Sequence, residues 1–297
     1  MKPDLYQTVT DKILADLEKG VRPWQRPWSG GHAAGRITQP LRANGAPYRG
    51  INIVMLWSSA MAAGFAAPIW MTFKQALELG AHVRRGEKGS VVVYADRITR
   101  TETDAESGEE TEHAIPFLKS YTVFNVEQID GLPERFRAEP MPPLDPIHRV
   151  ARADAFFAAT RADIRTGGNM AAYNVADDRI AMPPFELFRD AESYYVTLAH
   201  EMTHWTRHPS RLNRDLGRQR WGDAGYAREE LVAEIGAAFL AAALDLAQAP
   251  REDHAAYLAS WIKVLKEDKR AIFTAAAHAQ RAADYLHGLQ CEQSAVG

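Results

Sequence analysis

Apolar residues in the first 80 positions recur at helical spacing. They predict an amphipathic helix over residues 5–17 and a mostly buried helix over Ile51–Phe65. Thr72 followed three residues later by Gln75 is a capping-box pattern, and Gly80 is a typical end for the short helix that it starts. The chain is therefore expected to open with helices.

After residue 90 the pattern changes to runs of β-branched and aromatic residues. Ser90–Ile98 and Ile115–Val126 are predicted to be strands. Residues 101–112 (TETDAESGEETE) lie between them without core-forming side chains, and they are predicted to form a solvated, acidic hairpin tip. Contact with a charged partner is the alternative function of this tip.

Five prolines between residues 133 and 146 predict a domain boundary, because proline-rich segments favour extended linkers. The predicted division is a first domain over residues 1–131, a linker over 132–147 and a second domain over 148–297. The second domain is predicted to be mostly helical, with an extended segment at Ala172–Ala181 and helices at Ile147–Thr160, Ala191–Thr206, 226–246 and 253–287. The predicted fold class is α+β, with a small mixed α/β N-terminal domain followed by a mostly helical domain.

The composition is that of a globular protein, with 46% hydrophobic and 25% charged residues in a chain of 297. Cys291 is the single cysteine, which excludes an intrachain disulfide and is typical of a reducing compartment. The sequence shows neither the apolar core of a signal peptide nor a run of about 18 apolar residues. We therefore expect a cytoplasmic protein with no membrane partner.

Charge is distributed unevenly along the chain. Residues 1–100 hold 14 Lys and Arg against 7 Asp and Glu, a net charge of +7. Because the whole chain carries −3, the remaining residues carry −10. A basic first third indicates contact with a polyanion, and ordinary solvated surface charge is the alternative.

The segment YYVTLAHEMTHWTRHP carries the strongest chemical signal. It contains His200, Glu201 and His204 in the H-E-x-x-H pattern. Residues four apart share a helix face, so both imidazoles can bind one metal ion. Glu201 then lies where it can take a proton from the attacking water instead of binding the metal. Two histidines satisfied by core hydrogen bonds are the alternative.

The third metal ligand is predicted in the helical segment AREELVAEIGAAFLAAAL. Glu230 is assigned to the metal, and Glu234 to the free N–H of a ligand histidine, with the reverse assignment as the alternative. Glu230 could also be an acid that is stabilised by the helix N-terminus. Glu229 is expected to point elsewhere, into solvent.

His208 is the nearest further histidine, but it lies about 12 Å along the helix axis from His200. Pro209 also favours a helix end there. The metzincin pattern needs Gly and His at positions that Arg207 and Ser210 occupy, so this class is excluded. We expect one divalent metal ion, Zn²⁺ with Mn²⁺ as the alternative.

Aromatic and basic residues are interleaved between positions 22 and 88. Single-stranded nucleic acid requires this composition, because bases stack on rings while cations contact phosphates. Trp24, Trp28 and Tyr48 are expected to be exposed, and Trp57 and Phe65 to lie in the core; core positions for most of the aromatics are the alternative. The residues predicted to bind nucleic acid are Arg22, Trp24, Arg26, Trp28, Tyr48, Arg49, Lys74, Arg84, Arg85 and Lys88.

Four ordered motifs resemble the ArdC antirestriction family, namely Pro47–Asn52, Trp70–Gly89, Ala199–Thr206 and Tyr226–Leu240. The arrangement also resembles the N-terminal part of plasmid conjugative primases. The resemblance implies a single-stranded-DNA-binding domain followed by a zincin-like metallopeptidase domain related to the SprT type. It implies metal binding by both motif histidines and a glutamate of EELVAE, where SprT-type sites often carry a third histidine.

Zincin folds commonly place an extended strand beside the motif helix. The segment Ala172–Ala181 is the expected strand, and its Tyr173 either reaches the site or packs. The arginine-rich segment after the motif either extends a DNA path towards the metal site or is a solvated connection; its arginines are Arg207, Arg211, Arg214, Arg218 and Arg220.

The leading hypothesis is an antirestriction protein that binds single-stranded DNA and carries a metal-dependent peptidase centre. It would protect incoming plasmid DNA from host restriction, with a DNA-bound or restriction-system protein as substrate. The alternative is a non-enzymatic protein that coats single-stranded DNA and has a structural or vestigial metal site. A nuclease or primase is disfavoured, because the sequence lacks an Asp cluster for two-metal chemistry.

Overall fold

The structure is a computed structural model that describes residues 4–25, 38–103, 110–136, 146–217, 220, 222–246 and 254–291. Within these ranges the helices are α1 Leu5–Glu18, α2 Ile51–Ala63, α3 Phe73–Glu78, α4 Pro146–Ala159, α5 Ala191–Trp205, α6 Ala224–Leu244, α7 His254–Glu267 and α8 Ala271–Cys291. The strands are β1 Leu41–Arg42, β2 Ile69–Thr72, β3 His82–Val83, β4 Ser90–Thr103, β5 Glu110–Asn125, β6 Ile129–Asp130, β7 Asp163–Thr166, β8 Ala172–Asn174 and β9 Arg179–Met182. The predicted α+β class, with most helices in the second half, is confirmed.

A four-stranded sheet in the order β1-β2-β5-β4 dominates the first half. Its two long strands pair antiparallel from Ser90 opposite Val123 to Thr103 opposite Glu110. Both predicted strands are present but extend into the predicted acidic tip, because β-branched residues alternate with charged ones there. Helix α2 is fixed to this sheet by Asn52, whose side chain bonds the backbone N and O of Val93 at 2.7 and 2.8 Å.

The second half places helices against a small three-stranded sheet in the order β7-β9-β8. The segment Ala172–Ala181 is a hairpin instead of one extended strand, because Asn174 Oδ1 accepts the backbone N–H of Ala176 at 2.9 Å and turns the chain. The predicted helix 253–287 is likewise two helices. Asp268 separates them, with its Oδ1 accepting the N–H of Arg270 at 2.8 Å.

One hydrophobic core runs through both predicted domains. Trp24 meets Trp261 and Trp57 meets Phe239, each with ring centroids 5.8 Å apart. The division at residues 132–147 stays a prediction, and most of that segment lies outside the described residues. The shared core holds α1 against α7 and α2 against α8, and both α7 and α8 pack on α6.

Candidate metal centre and nucleic-acid interface

The motif histidines lie on a buried helix. Asp190 starts α5 by accepting the N–H of Ser193 at 2.7 Å, and the helix continues to Trp205. His200, Glu201 and His204 are 5%, 4% and 8% exposed, so they line the protein interior next to one cleft. The structure thus places the motif on the predicted helix, with all three side chains largely withdrawn from solvent.

Helix α6 approaches α5 closely at Gly236. A Cβ at this position would lie 2.6 Å from Cγ2 and 2.7 Å from Oγ1 of Thr203, so only glycine permits the observed distance between the helices. Thr203 lies between the two motif histidines in the sequence. The contact therefore brings the glutamates of α6 within reach of the motif.

Three side chains form a ligand set for one metal ion. Oε2 of Glu230 is 3.4 Å from Nε2 of His200, and its Oε1 is 3.5 Å from Nε2 of His204. Two ligand atoms that each lie about 2.0–2.1 Å from a tetrahedral zinc ion are about 3.3 Å from each other. The candidate ligand atoms of all three residues lie within 4.8 Å of one another. Two imidazoles and a carboxylate in this arrangement fit a zincin-type ion with an open fourth position.

Two further glutamates contact the outer nitrogens of the histidines. Oε1 of Glu234 lies 3.3 Å from Nδ1 of His200, and its role as acceptor of that N–H stays a prediction. Glu229, which was expected in solvent, is 2% exposed, and its Oε1 lies 3.0 Å from Nδ1 of His204. That expectation was wrong because the packing of α6 between α5 and α8 buries several faces of the helix, including the one that carries Glu229.

The electrostatics of the centre favour a cation. Burial would lower the pKa of His204, but Glu230 and Glu229 outweigh it and raise the pKa to about 10. Burial also opposes ionisation of Glu230, yet the two histidines lower its pKa below the ordinary value. The site therefore stabilises positive charge, and a bound divalent ion would supply that charge.

The cleft has a volume of about 190 Å³ and combines the ligand set with an apolar wall from the β8 hairpin. Tyr173 lines it and also donates to Asp178 at 2.9 Å, so it both reaches the site and packs. Tyr226 and Tyr257 also line the cleft, and their hydroxyls are 3.0 Å apart. Burial and the hydrogen bond with Tyr257 raise the pKa of Tyr226, which keeps its hydroxyl protonated.

The N-terminal segment also reaches the centre. Nε2 of Gln25 donates to Oε2 of Glu234 at 3.3 Å. Trp24, beside it, is fully buried against Trp261. A residue from the first half of the chain therefore contacts the carboxylate behind His200.

The arginine-rich segment after the motif helix is largely structural. Arg211 pairs with Asp178 and lies 3.8 Å above the ring of Trp205. Arg214 is 4% exposed and pairs with Glu229. The prediction of a solvated connection or DNA path is wrong for these two arginines, because ordering this segment against α5 buries their guanidinium groups. Arg207 lines the cleft, Arg220 begins the turn before α6, and Arg218 lies outside the described residues.

The expected exposure of the N-terminal aromatics is wrong for Trp24 and Tyr48. Trp24 is 0% and Tyr48 is 7% exposed, because each packs into the shared core. Trp57 is buried and Phe65 is partly buried, as expected. Trp28 and Arg26 lie outside the described residues.

Some of the basic residues predicted to bind DNA are partly buried or paired with acidic residues, and the others are exposed. Arg22 is half-buried, Arg49 pairs with Asp284, and Arg84 donates to Glu87 at 2.8 Å. Lys74, Arg85 and Lys88 are exposed, although Lys74 lies 3.6 Å from Glu78. These last three remain candidates for phosphate contact.

Exposed aromatic residues also occur outside the set that was predicted to bind nucleic acid. Phe73 is 51%, Tyr94 47% and Tyr121 48% exposed. Phe73 meets Phe124 at 6.5 Å between ring centroids, and Gly89, next to Lys88, lies close to Phe124, 3.0 Å from which a Cβ at Gly89 would stand. The segment that carries Arg85 and Lys88 therefore lies beside Phe124, whose ring also contacts the exposed ring of Phe73.

The comparisons with known proteins agree with this arrangement. Residues 151–278 match the family described as zincin-like metallopeptidase, and residues 3–124 match the N-terminal domain of anti-restriction factor ArdC. The solved structure of antirestriction ArdC protein from plasmid R388 in its metal-free form is 49% identical, with a TM-score of 0.81, covering 98% of this chain and 99% of that one. Its Mn(II)-bound form is 48% identical, with a TM-score of 0.78, over 97% and 98% of the two chains.

Curated relatives extend the same picture. Protein y4eC of Sinorhizobium fredii (strain NBRC 101917 / NGR234) is 42% identical over 97% of this chain and 93% of its own length. A DNA primase TraC of Escherichia coli is 40% identical over 99% of this chain, which spans 28% of the primase. None of the helices in the described part of the chain combines the length and apolarity that a bilayer crossing requires.

Proposed function

Because the chain belongs to the ArdC antirestriction family, we propose that it protects incoming DNA from restriction by binding single-stranded DNA and hydrolysing a protein associated with that DNA. The observation that carries the enzymatic part is the pairing of two imidazole nitrogens with Glu230 at 3.4 and 3.5 Å, beside the carboxylate of Glu201 in one cleft. Incoming plasmid DNA is the proposed nucleic acid.

His200, His204 and Glu230 would hold the ion, with Zn²⁺ as the proposed metal and Mn²⁺ as the alternative. A bound divalent ion supplies Lewis-acid chemistry that activates water and polarises a peptide carbonyl. Glu201 takes the proton from the attacking water and delivers it to the leaving amine nitrogen. Tyr226, which stays protonated, lines the same cleft and can donate a hydrogen bond to the carbonyl oxygen as negative charge develops there.

The β8 hairpin suits an extended peptide substrate. Strand β8 pairs on one side with β9 and forms the edge of its sheet beside the cleft. An extended chain can add to such an edge through backbone hydrogen bonds. The apolar side chains of this wall, including the exposed Met170 and Val175, would contact the substrate.

For DNA, the proposed surface is the patch of Phe73, Lys74, Arg85 and Lys88 around Phe124. Cations here contact phosphates, and the exposed ring of Phe73 stacks on a base. This patch replaces the predicted stacking on Trp24 and Tyr48, whose rings are buried.

The Glu201→Gln variant tests the enzymatic part. We expect it to lose cleavage of a fluorescent peptide library and protection of incoming DNA, measured as transfer into restricting against non-restricting recipients. Metal content and affinity for single-stranded DNA should stay unchanged. If protection survives in this variant, proteolysis is not the mechanism, and the non-enzymatic coating hypothesis with a structural metal site replaces it.

The DNA surface is tested by the triple variant Lys74→Ala/Arg85→Ala/Lys88→Ala, with fluorescence anisotropy on single-stranded oligonucleotides. If each cation contacts a phosphate, the plot of log affinity against log salt should be less steep for the triple variant than for the wild type, by about 2 in slope. The matched control removes three exposed cations from the second half, Arg189→Ala/Lys263→Ala/Arg281→Ala. Equal losses in the two triple variants would contradict a localised surface.

A further inference from the structure

Arg214 is a buried cation in the segment that follows the motif helix. Its side chain is 1% exposed. A buried guanidinium must be paired and hydrogen-bonded to avoid a large desolvation penalty. Its partner is Glu229 of α6, which it contacts with two parallel hydrogen bonds, Nε to Oε2 at 2.9 Å and Nη2 to Oε1 at 2.7 Å.

Glu229 connects this pair to the metal centre. The Oε1 atom that accepts from Arg214 also lies 3.0 Å from Nδ1 of His204. Two charge-assisted hydrogen bonds from the buried guanidinium of Arg214 hold this carboxylate in its ionised form. An ionised carboxylate only accepts hydrogen bonds, so Nδ1 of His204 must be the donor.

This contact selects the ring atom that faces the metal. A metal ion would replace the other ring proton, so Nδ1 keeps the proton that faces Glu229 and the lone pair is on Nε2, the atom that lies 3.5 Å from Glu230. A carboxylate behind a ligand imidazole fixes both the tautomer and the ring orientation.

Arg214 also contacts the motif helix itself. Its Nη2 donates to the carbonyl of Thr203 at 2.9 Å, and its Nη1 to Oγ1 of Thr206 at 3.1 Å. One guanidinium thus joins the end of α5, which carries His204, to the first half of α6, which carries Glu229 and Glu230.

We propose that Arg214 and Glu229 are a positioning pair that holds His204 ready to bind a divalent metal ion. The inference rests on the proposed metal centre. The competing explanation is an ion pair that only joins two helices, in which case its removal changes stability and leaves metal affinity unchanged.

The decisive variant is Arg214→Met/Glu229→Gln, which removes both buried charges together so that neither is left without its partner. Zn²⁺ affinity is measured by competition with a chelating dye, and Co²⁺ binding by its visible absorption spectrum. We expect Zn²⁺ affinity to fall 10–100-fold and the Co²⁺ spectrum to change. Arg214→Lys, which keeps the charge but loses the two-pronged contact, should give an intermediate affinity.

The matched control is Arg211→Met/Asp178→Asn, which removes the ion pair between Arg211 of the same segment and Asp178 of the turn before β9. The other hydrogen bonds of this pair go to Trp205 and Tyr173 and not to a metal ligand. This control should keep the wild-type Zn²⁺ affinity and Co²⁺ spectrum. If the Arg214→Met/Glu229→Gln protein keeps the wild-type Zn²⁺ affinity and Co²⁺ spectrum, the positioning role is wrong and the proposed metal centre still stands. If the unaltered protein binds no Zn²⁺ or Co²⁺, the metal centre itself is wrong and this inference falls with it.

Discussion

Replacing Gly236 by alanine tests whether the close approach of α5 and α6 builds the metal centre. In an open helix this change stabilises by about 1 kcal/mol, because alanine has the higher helix propensity. At Gly236 the new Cβ lies 2.6 Å from Thr203 Cγ2, about 1 Å inside a favourable carbon–carbon contact. The helices must therefore separate or Thr203 must move.

The expected magnitude follows from these two opposing effects. Overpacking a buried site costs about 1–3 kcal/mol. After the gain in helix propensity, the free energy of unfolding should fall by about 0–2 kcal/mol. Metal-ligand distances tolerate only about 0.2 Å, so Zn²⁺ affinity should fall roughly tenfold as Glu230 moves from the histidines.

Urea denaturation of the metal-free protein and calorimetric titration with Zn²⁺ measure the two effects. Adding Thr203→Ala to Gly236→Ala removes Cγ2 and Oγ1 and should restore much of the affinity. Gly288→Ala is the matched control, because a Cβ there meets nothing within 4 Å and should stabilise α8. If Gly236→Ala behaves like Gly288→Ala, the close contact between α5 and α6 does not set the geometry of the metal centre.

Three further predictions concern residues around the centre. Arg211→Ala should lower the free energy of unfolding by about 2 kcal/mol in urea denaturation, because Asp178 loses its partner; an unchanged midpoint would contradict this. Gln25→Ala should weaken Zn²⁺ binding in calorimetry less than Glu234→Gln does, since it acts through that carboxylate, and the reverse order would refute it. Burial and two nearby arginines lower the pKa of His278 to about 4 from 6.5, so the folded state favours the neutral ring. Stability should therefore be complete above pH 6.5 and decline as the pH falls from 6.5 to 4; a His278→Gln protein with an unaltered pH profile of denaturation would contradict this.

The sequence predicts the elements of the centre well because they depend on local rules. The four-residue spacing of His200 and His204 puts both rings on one helix face whatever the rest of the chain does. Most helix limits also follow from periodicity and capping, as the confirmed capping box of Thr72 and Gln75 shows.

Tertiary packing decides the features that the sequence did not predict. Glu229 is adjacent to Glu230 and was expected in solvent, yet α6 is buried on several sides. Trp24 has polar and proline neighbours, and only its meeting with Trp261, over 200 residues away, makes it a core residue. An arginine such as Arg214 carries no local signal that it will be paired with a carboxylate on another helix.

Diffraction from crystals grown with Zn²⁺, recorded at the zinc absorption edge, shows directly which side chains bind the ion. We predict one anomalous peak per chain at about 2.0–2.2 Å from Nε2 of His200, Nε2 of His204 and a carboxylate oxygen of Glu230, with Glu201 beside the open position. A peak bound by Glu234 in place of Glu230, or no peak at the motif helix, would contradict the proposed centre.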